Sequence, residues 1–266
     1  MMKPHRVMDK PDRFSGNDLW STYGLTPDYA ERIESIRSLI PDGVSTLLDV
    51  GCGNGNVINA ISESKNRIFI VGVDPSLQAL RFVKTTAVLA RLPNLPFRRN
   101  SMDMVLCLQV LEHLNDEEHL SSLDEIRRIA RRHVIIGVPY EENLETKQVL
   151  CAACRNPSHA DGHLRRYGDS DIDHLLEDFA VREKLLVGVL QKQSSQFGTW
   201  IRRNVAGMYY KTDFFHCPHC GSQRSLDRKF RVPAILRKTI CFLDQLLTDR
   251  KPENPYWIIT LYERTP

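Results

Sequence analysis

No uncharged apolar run in this 266-residue chain approaches the roughly 18 residues a membrane-crossing helix needs. The opening MMKPHRVMDKPDRF has basic residues but lacks the apolar stretch of a secretory leader. The sequence therefore predicts a cytoplasmic protein with no membrane partner. A surplus of one charge is missing too: 36 Lys and Arg against 33 Asp and Glu leave +3, too little to mark a nucleic-acid protein on charge alone. No repeat organises the 14 Gly and 14 Pro, which excludes collagen-like and low-complexity character. What remains is a globular composition, 42 % apolar and 26 % charged, long enough for one large α/β domain with an elaboration. Its one anomaly is seven cysteines, an odd number.

Periodicity orders the elements. Trp20 and Tyr23 punctuate a polar start, as a lid or as cover for the core. Thr26-Pro27 caps a helix whose apolar face is Tyr29, Ile33, Ile36 and Ile40, ending near Pro41-Asp42-Gly43. TLLDV, ending at Val50, reads as a strand, followed by GCGNG and a helix through VINAISES; RIFIVGV reads as a second strand, with a helix across LQALRFVKT. MDMVLCLQV is a buried strand, Asn115 and Glu118 form a capping box, and Leu120, Leu123, Ile126 and Ile129 are expected on one helix face. HVIIGVP is the next strand. A short helix over residues 170–179 and strands at VREKLLVGV and YWIITLYER complete the pattern, with a compositionally different stretch at 191–255. Strand, glycine loop, helix, strand, helix is the grammar of a parallel sheet covered on both faces.

The glycine loop narrows the ligand. Gly51, Gly53 and Gly55 follow a strand and open a helix, where open α/β sheets receive ligands. Their spacing is G-x-G-x-G; the dinucleotide fingerprint needs G-x-G-x-x-G, and position 56 is Asn. Asp49 places a carboxylate before the loop, a poor neighbour for pyrophosphate but suited to an ammonium or sulfonium group. Asp74 follows the second strand at about the distance where an acid accepts ribose hydroxyls, although Asp74-Pro75 also serves simply to turn a chain. Together they describe a nucleoside joined to a cation.

Over residues 40–190, LLDVGCGNG, VGVDPS, LPNLPFRRNSMDMVLCLQVLEHL and HVIIGVP resemble the class I S-adenosylmethionine-dependent methyltransferases, especially those acting on small molecules. The resemblance implies a Rossmann-like α/β fold with a mostly parallel seven-stranded sheet ending in an antiparallel hairpin. It places Gly51, Gly53 and Gly55 around S-adenosylmethionine, Asp49 near the methionyl end, Asp74 and Pro75 at the ribose, Ala90, Arg91 and Leu92 at the adenine, and Gln109 beside the cofactor. Arg91 departs from the pattern, because many relatives carry an acid there and arginine accepts no hydrogen bond. Adenine recognition then falls to backbone around Ala90 and Leu92, or Arg91 points away. The organisation expected is an N-terminal lid or helical segment (1–40), a cofactor-binding core (41–190) with a substrate-side loop (141–168), an insertion (191–255) and a last core strand (256–266).

Methyl transfer asks mainly for alignment and sometimes for a base. His113 follows the MVLCL strand with Glu112, and His163 sits in Gly162-His-Leu-Arg-Arg-Tyr167; both histidines are catalytic candidates. His113 alternatively caps local backbone. In the second segment Arg165 or Arg166 suits a carboxylate or phosphate and Tyr167 an acceptor, with a solvated charge run as the plain alternative. No Asn/Asp-Pro-Pro-Tyr segment follows the strand, which argues against amino methylation of bases. Cys52 and Cys107 have structural surroundings.

Cys151-Ala-Ala-Cys154 and Cys217-Pro-His-Cys220 offer four thiolates for one structural Zn²⁺. Substitution of one ligand by His159, His163, His216 or His219 is the variant reading, and no metal the third. The insertion's aromatics, Met208 and later apolar residues line an acceptor pocket or form a miniature core. The resulting expectation is an enzyme methylating oxygen or nitrogen of a small polar or anionic metabolite. RNA methylation, suggested by Arg202-Arg203, Arg228-Lys229-Arg231 and Arg237-Lys238, and a noncatalytic interaction module are the alternatives.

Overall fold

The computed structural model describes residues 27–65, 67–192, 195–212, 215–226, 232–248 and 253–266. Trp20, Tyr23, the Thr26 cap and the Arg228-Lys229-Arg231 cluster lie outside them. Its strands are β1 (Thr46–Val50), β2 (Phe69–Asp74), β3 (Thr86–Leu89), β4 (Met102–Leu108), β5 (Ala130–Pro139), β6 (Gln148–Leu150), β7 (Pro157–His159), β8 (Phe179–Lys192) and β9 (Glu253–Arg264). The helices are α1 (Pro27–Ser38), α2 (Asn56–Ser64), α3 (Leu77–Leu80), α4 (Asp116–Ile129), α5 (Asp169–Asp173), α6 (Gln196–Asn204) and α7 (Ala234–Thr248).

Central position explains the composition of β4: every residue of MDMVLCL is buried, because the strand pairs on both edges and is covered on both faces. The full sheet order is β3-β2-β1-β4-β5-β9-β8, with β6 and β7 forming a separate two-stranded ribbon. Strands β1 to β5 run parallel, and β9 is antiparallel to both β5 and β8. This is the seven-stranded arrangement with a closing antiparallel hairpin that the sequence implied. Asp103 is the polar exception in β4. It accepts from the N–H and hydroxyl groups of both Ser45 and Thr46 and pairs with Arg131, tying the starts of β1, β4 and β5 together. Burial alone would raise its pKa, but these donors hold it well below the usual carboxylate range.

Three expectations need correction. The helix expected across LQALRFVKT stops after one turn, and β3 follows it: Thr85, Thr86 and Val88 are β-branched, and pairing with β2 wins. On α4 the capping box forms as expected, but Leu120 is 66 % exposed while His119, Ser122, Leu123, Ile126 and Ile129 are buried. A spacing of three drifts around a 3.6-residue helix, so Leu120 ends up opposite Ile129. The insertion does not make its small core from α7. That core is Val149, Cys151, Ala160, Phe215 and Cys217, whereas Ile235, Leu236, Phe242 and Leu243 face outward.

Candidate active site

The carboxyl ends of β1, β2, β4 and β5 converge where the strand order reverses between β1 and β4, the point at which open α/β sheets bind ligands. After β1, Gly51, Gly53 and Gly55 have φ of 75°, 54° and 75°. Gly51 and Cys52 both donate to Val73 O (2.7 and 2.9 Å), folding the loop against the end of β2. A side chain at Gly51 would overlap Val110, and a Cβ at Gly55 would lie 2.9 Å from Val83 Cγ2. Left-handed backbone and close approach both require glycine here. Gly55 is the N-cap of α2 and offers no side-chain cap, and the Asn56 N–H donates to Asn54 Oδ1 (3.4 Å).

Two carboxylates flank the loop. Asp74 accepts from Gly53 N–H (2.9 Å) and Ser76 N–H (2.8 Å) and thereby sets the loop's position. Asp49 is 2 % exposed, and its Oδ1 has no hydrogen-bond partner. Burial, then repulsion from Asp74, pushes its pKa up to about 7 against the pull of Arg32. A buried, unpartnered carboxylate oxygen beside a glycine cradle fits a cationic ligand, so the residues present match the sulfonium and ammonium of S-adenosylmethionine. Arg32 itself carried no sequence signal. It is buried on α1, with its guanidinium 4.5 Å from the Tyr29 ring and 5.1 Å from the Trp257 ring.

The other expected cofactor residues are placed unevenly. Pro75 is exposed at the end of β2, and Gln109 has φ of 60° with its side-chain amide donating to Gly137 O (3.1 Å). Ala90 is half-buried, and the Leu92 side chain belongs to the core. Arg91 points away, its side chain 68 % exposed and 3.5 Å from Glu118 on α4.

Beyond β4, a single 3-10 turn (Leu111–His113) presents Glu112 and His113 opposite His163. The His113 and His163 rings meet edge to face at 4.9 Å, and the polar atoms of Glu112, His113 and His163 lie within 4.8 Å of one another. Glu112 is fully buried with both oxygens unpartnered, and burial raises its pKa to about 8. The 141–168 loop supplies a second layer. His163 Nδ1 meets Glu142 Oε2, and Glu142 Oε1 accepts from Tyr256 OH (3.1 Å) and lies 3.3 Å from Lys147 Nζ. A carboxylate only accepts, so His163 carries a proton on Nδ1. His159 stacks on His163 at 4.8 Å, and its Nδ1 accepts from the N–H groups of Asp161 and His163, which leaves the proton on Nε2. Burial lowers its pKa to about 4, so it stays neutral. Glu142, Lys147 and Tyr256 carry no sequence signal because they belong to no motif, and Tyr256 on β9 stands 114 residues from Glu142. Arg165 and Arg166 pair with Asp116 and Glu141, each at 2.7 Å, and Tyr167 is buried with its hydroxyl on His119.

Residues 48–136, which span this loop and the β4 turn, match the methyltransferase domain family. Over these residues the chain carries a methyltransferase domain. An uncharacterized protein of Methanocaldococcus jannaschii is 37 % identical over 154 residues, 54 % of this chain and 65 % of that protein. A ubiquinone biosynthesis O-methyltransferase of Albidiferax ferrireducens is 34 % identical over 96 residues, 32 % of this chain and 37 % of that one. The chain thus matches less than two thirds of the length of either curated relative. In fold, the magnesium protoporphyrin IX methyltransferase of Synechocystis PCC 6803 with bound S-adenosylmethionine superposes with a TM-score of 0.53 at 13 % identity, covering 99 % of this chain and 100 % of that one.

Beyond the residues of the methyltransferase domain, a cysteine centre lies beside β6 and β7. Cys151, Cys154, Cys217 and Cys220 come together with all sulfurs within 4.8 Å, and Cys151–Cys220 and Cys154–Cys217 are each 3.6 Å apart. Four sulfurs at tetrahedral Zn–S distance would stand about 3.8 Å apart. The two pairs are built alike. Cys151 N–H donates to Asn156 O and Cys217 N–H to Ser222 O, each five residues on. Arg155 and Gly221, each following the second cysteine of its pair, have φ of 63° and 73° and donate back to Cys151 O and Cys217 O. The histidines weighed as substitutes are not needed: His159 and His163 belong to the Glu142 cluster.

Proposed function

We propose that this methyltransferase transfers a methyl group from S-adenosylmethionine to an oxygen or nitrogen of a small polar or anionic acceptor. The observation that carries the reading is the buried, unpartnered Asp49 carboxylate beside the glycine cradle, a binding pole for a cation at the sheet's switch point. Gly51, Gly53 and Gly55, lacking side chains, let the cofactor approach the loop backbone closely, and Asp74 serves the ribose. Pro75, Gln109 and the backbone of Ala90, Arg91 and Leu92 complete the wall, while Arg32 faces the cofactor carboxylate. When bound, S-adenosylmethionine supplies a methyl group activated by its positive sulfur.

The chain's own contribution is alignment and proton removal. His163, fixed through Nδ1 by Glu142, offers Nε2 to the acceptor's O–H or N–H and passes the proton on to solvent. His113 and the Glu112 carboxyl wall the same space and orient the acceptor. Likeness to an O-methyltransferase supports oxygen as the receiving atom. One Zn²⁺ held by Cys151, Cys154, Cys217 and Cys220 pins the 191–255 insertion to the 141–168 loop as a cover over the acceptor side, without an open position for catalysis. Calorimetric titration of the purified chain with S-adenosylmethionine tests the core of this reading: micromolar binding that Asp74→Ala abolishes is expected, and failure to bind would overturn it.

A further inference from the structure

Between residues 191 and 255 the sequence holds twelve Lys and Arg against five Asp and Glu, although the whole chain carries only +3. The same stretch turns large apolar side chains outward. On α6, Phe197 is 65 % and Trp200 51 % exposed; on α7, Ile235 is 81 %, Phe242 61 % and Leu243 53 % exposed. Their inner faces are already satisfied. Gly198 backs so closely onto Asp244 that any side chain there would run into its carboxylate, Arg202 pairs with Asp244 at 2.9 Å, and Ile240 is buried. Ile235, Phe242 and Leu246 recur at seven and four residues, and Leu236 and Leu243 run beside them, giving one continuous outer stripe.

We propose that α6 and α7 form a docking face for an anionic lipid bilayer, lying in the boundary between headgroups and acyl chains. Arg237 and Lys238 stand in the first turns of α7, and the sequence on either side of that helix adds Arg228, Lys229, Arg231, Arg250 and Lys251. Aromatic and aliphatic bulk framed by Lys and Arg is the make-up of a helix that lies on a membrane. Among the described residues no helix is long and apolar enough to cross one. The expectation of no membrane partner was drawn from the lack of a spanning run, which does not bear on a surface-lying helix. A second copy on this face would bring like charges together. RNA would stack on Phe197, Trp200 and Phe242 but leave the aliphatic Ile235, Leu236 and Leu243 without a partner, which acyl chains would cover. The face is joined to the acceptor side, since Tyr210 N–H donates to Gln148 O (2.8 Å) and Arg203 pairs with Glu145. Docking therefore holds the 141–168 loop near the lipid surface.

Vesicle flotation of the full chain tests this independently of methyl transfer. Vesicles of phosphatidylcholine with one third phosphatidylglycerol should carry the protein upward, and binding should fall about tenfold or more with pure phosphatidylcholine, with Lys238→Glu, or with Ile235→Ser and Phe242→Ser together. All three positions are exposed, so an unchanged melting curve is expected of the variants. Equal binding by wild type and the double variant, or no binding to anionic vesicles, would overturn the proposal. So would a dimer in light scattering that the double variant dissolves, which would assign the face to a second copy.

Discussion

Replacing Asp49 by asparagine should move stability and cofactor binding in opposite directions. The native carboxyl titrates at about 7 instead of 3.8, so between those values the folded protein holds a proton that the unfolded chain has released. Stability therefore falls as pH rises through this window, and above pH 7 the ionised, 2 % exposed group costs roughly 4 kcal/mol at 1.36 kcal/mol per tenfold. Asparagine removes the charge while keeping a buried polar group, so a gain of roughly 2–4 kcal/mol is expected at pH 8, or about 4–7 °C in Tm for a chain of this length. Near pH 4 the gain should be small. In calorimetry the same variant should bind S-adenosylmethionine about 10- to 100-fold more weakly, the worth of one charge-assisted contact. Thermal melts at pH 4 and pH 8 beside the titration decide the matter. A variant less stable than wild type at pH 8 would show that Asp49 is stably paired, and unchanged affinity would show that it does not face the cofactor.

Gly51→Ala adds a methyl group against Val110 at φ +75°, which should cost about 2–5 kcal/mol in urea unfolding. Adding Val110→Ala should return the steric part and leave about 1–2 kcal/mol for the left-handed backbone. Glu142→Gln should lower kcat about 10- to 100-fold with cofactor affinity unchanged, and Glu142→Asp should recover part of the loss; equal activity in all three proteins would remove Glu142 from its positioning role. Elemental analysis should find about one zinc per chain and none in Cys217→Ser, whereas metal-free wild type would refute the four-sulfur centre.

How far the sequence could be read depended on whether a feature was local. The TLLDV strand, the glycine loop and the Asn115–Glu118 capping box are each written within a few consecutive residues, and they form as expected. Asp49 is legible as a carboxylate before the loop, but its burial and its unpartnered oxygen are properties of the fold. Edge strand β3 escaped notice because only pairing with β2 makes Thr86–Leu89 a strand. The layer around His163 escaped for the same reason: Glu142, Lys147 and Tyr256 meet only after β9 returns beside β5. The cysteine pairs were legible as pairs, since each is local, but their meeting depends on how the chain folds between them.

The likeness of the two cysteine knuckles has a topological consequence. An ion shared between them, as proposed, would act as a reversible cross-link closing a loop of 62 residues, from Cys154 to Cys217, that includes β8 and α6. By loop-closure arithmetic, a permanent link of that span removes about 4 kcal/mol of freedom from the unfolded chain. Nothing in the β1–β4 half of the sheet lies inside that loop. A chelator would therefore loosen the acceptor half while sparing the cofactor half, dividing one polypeptide into a metal-dependent part and a metal-independent part.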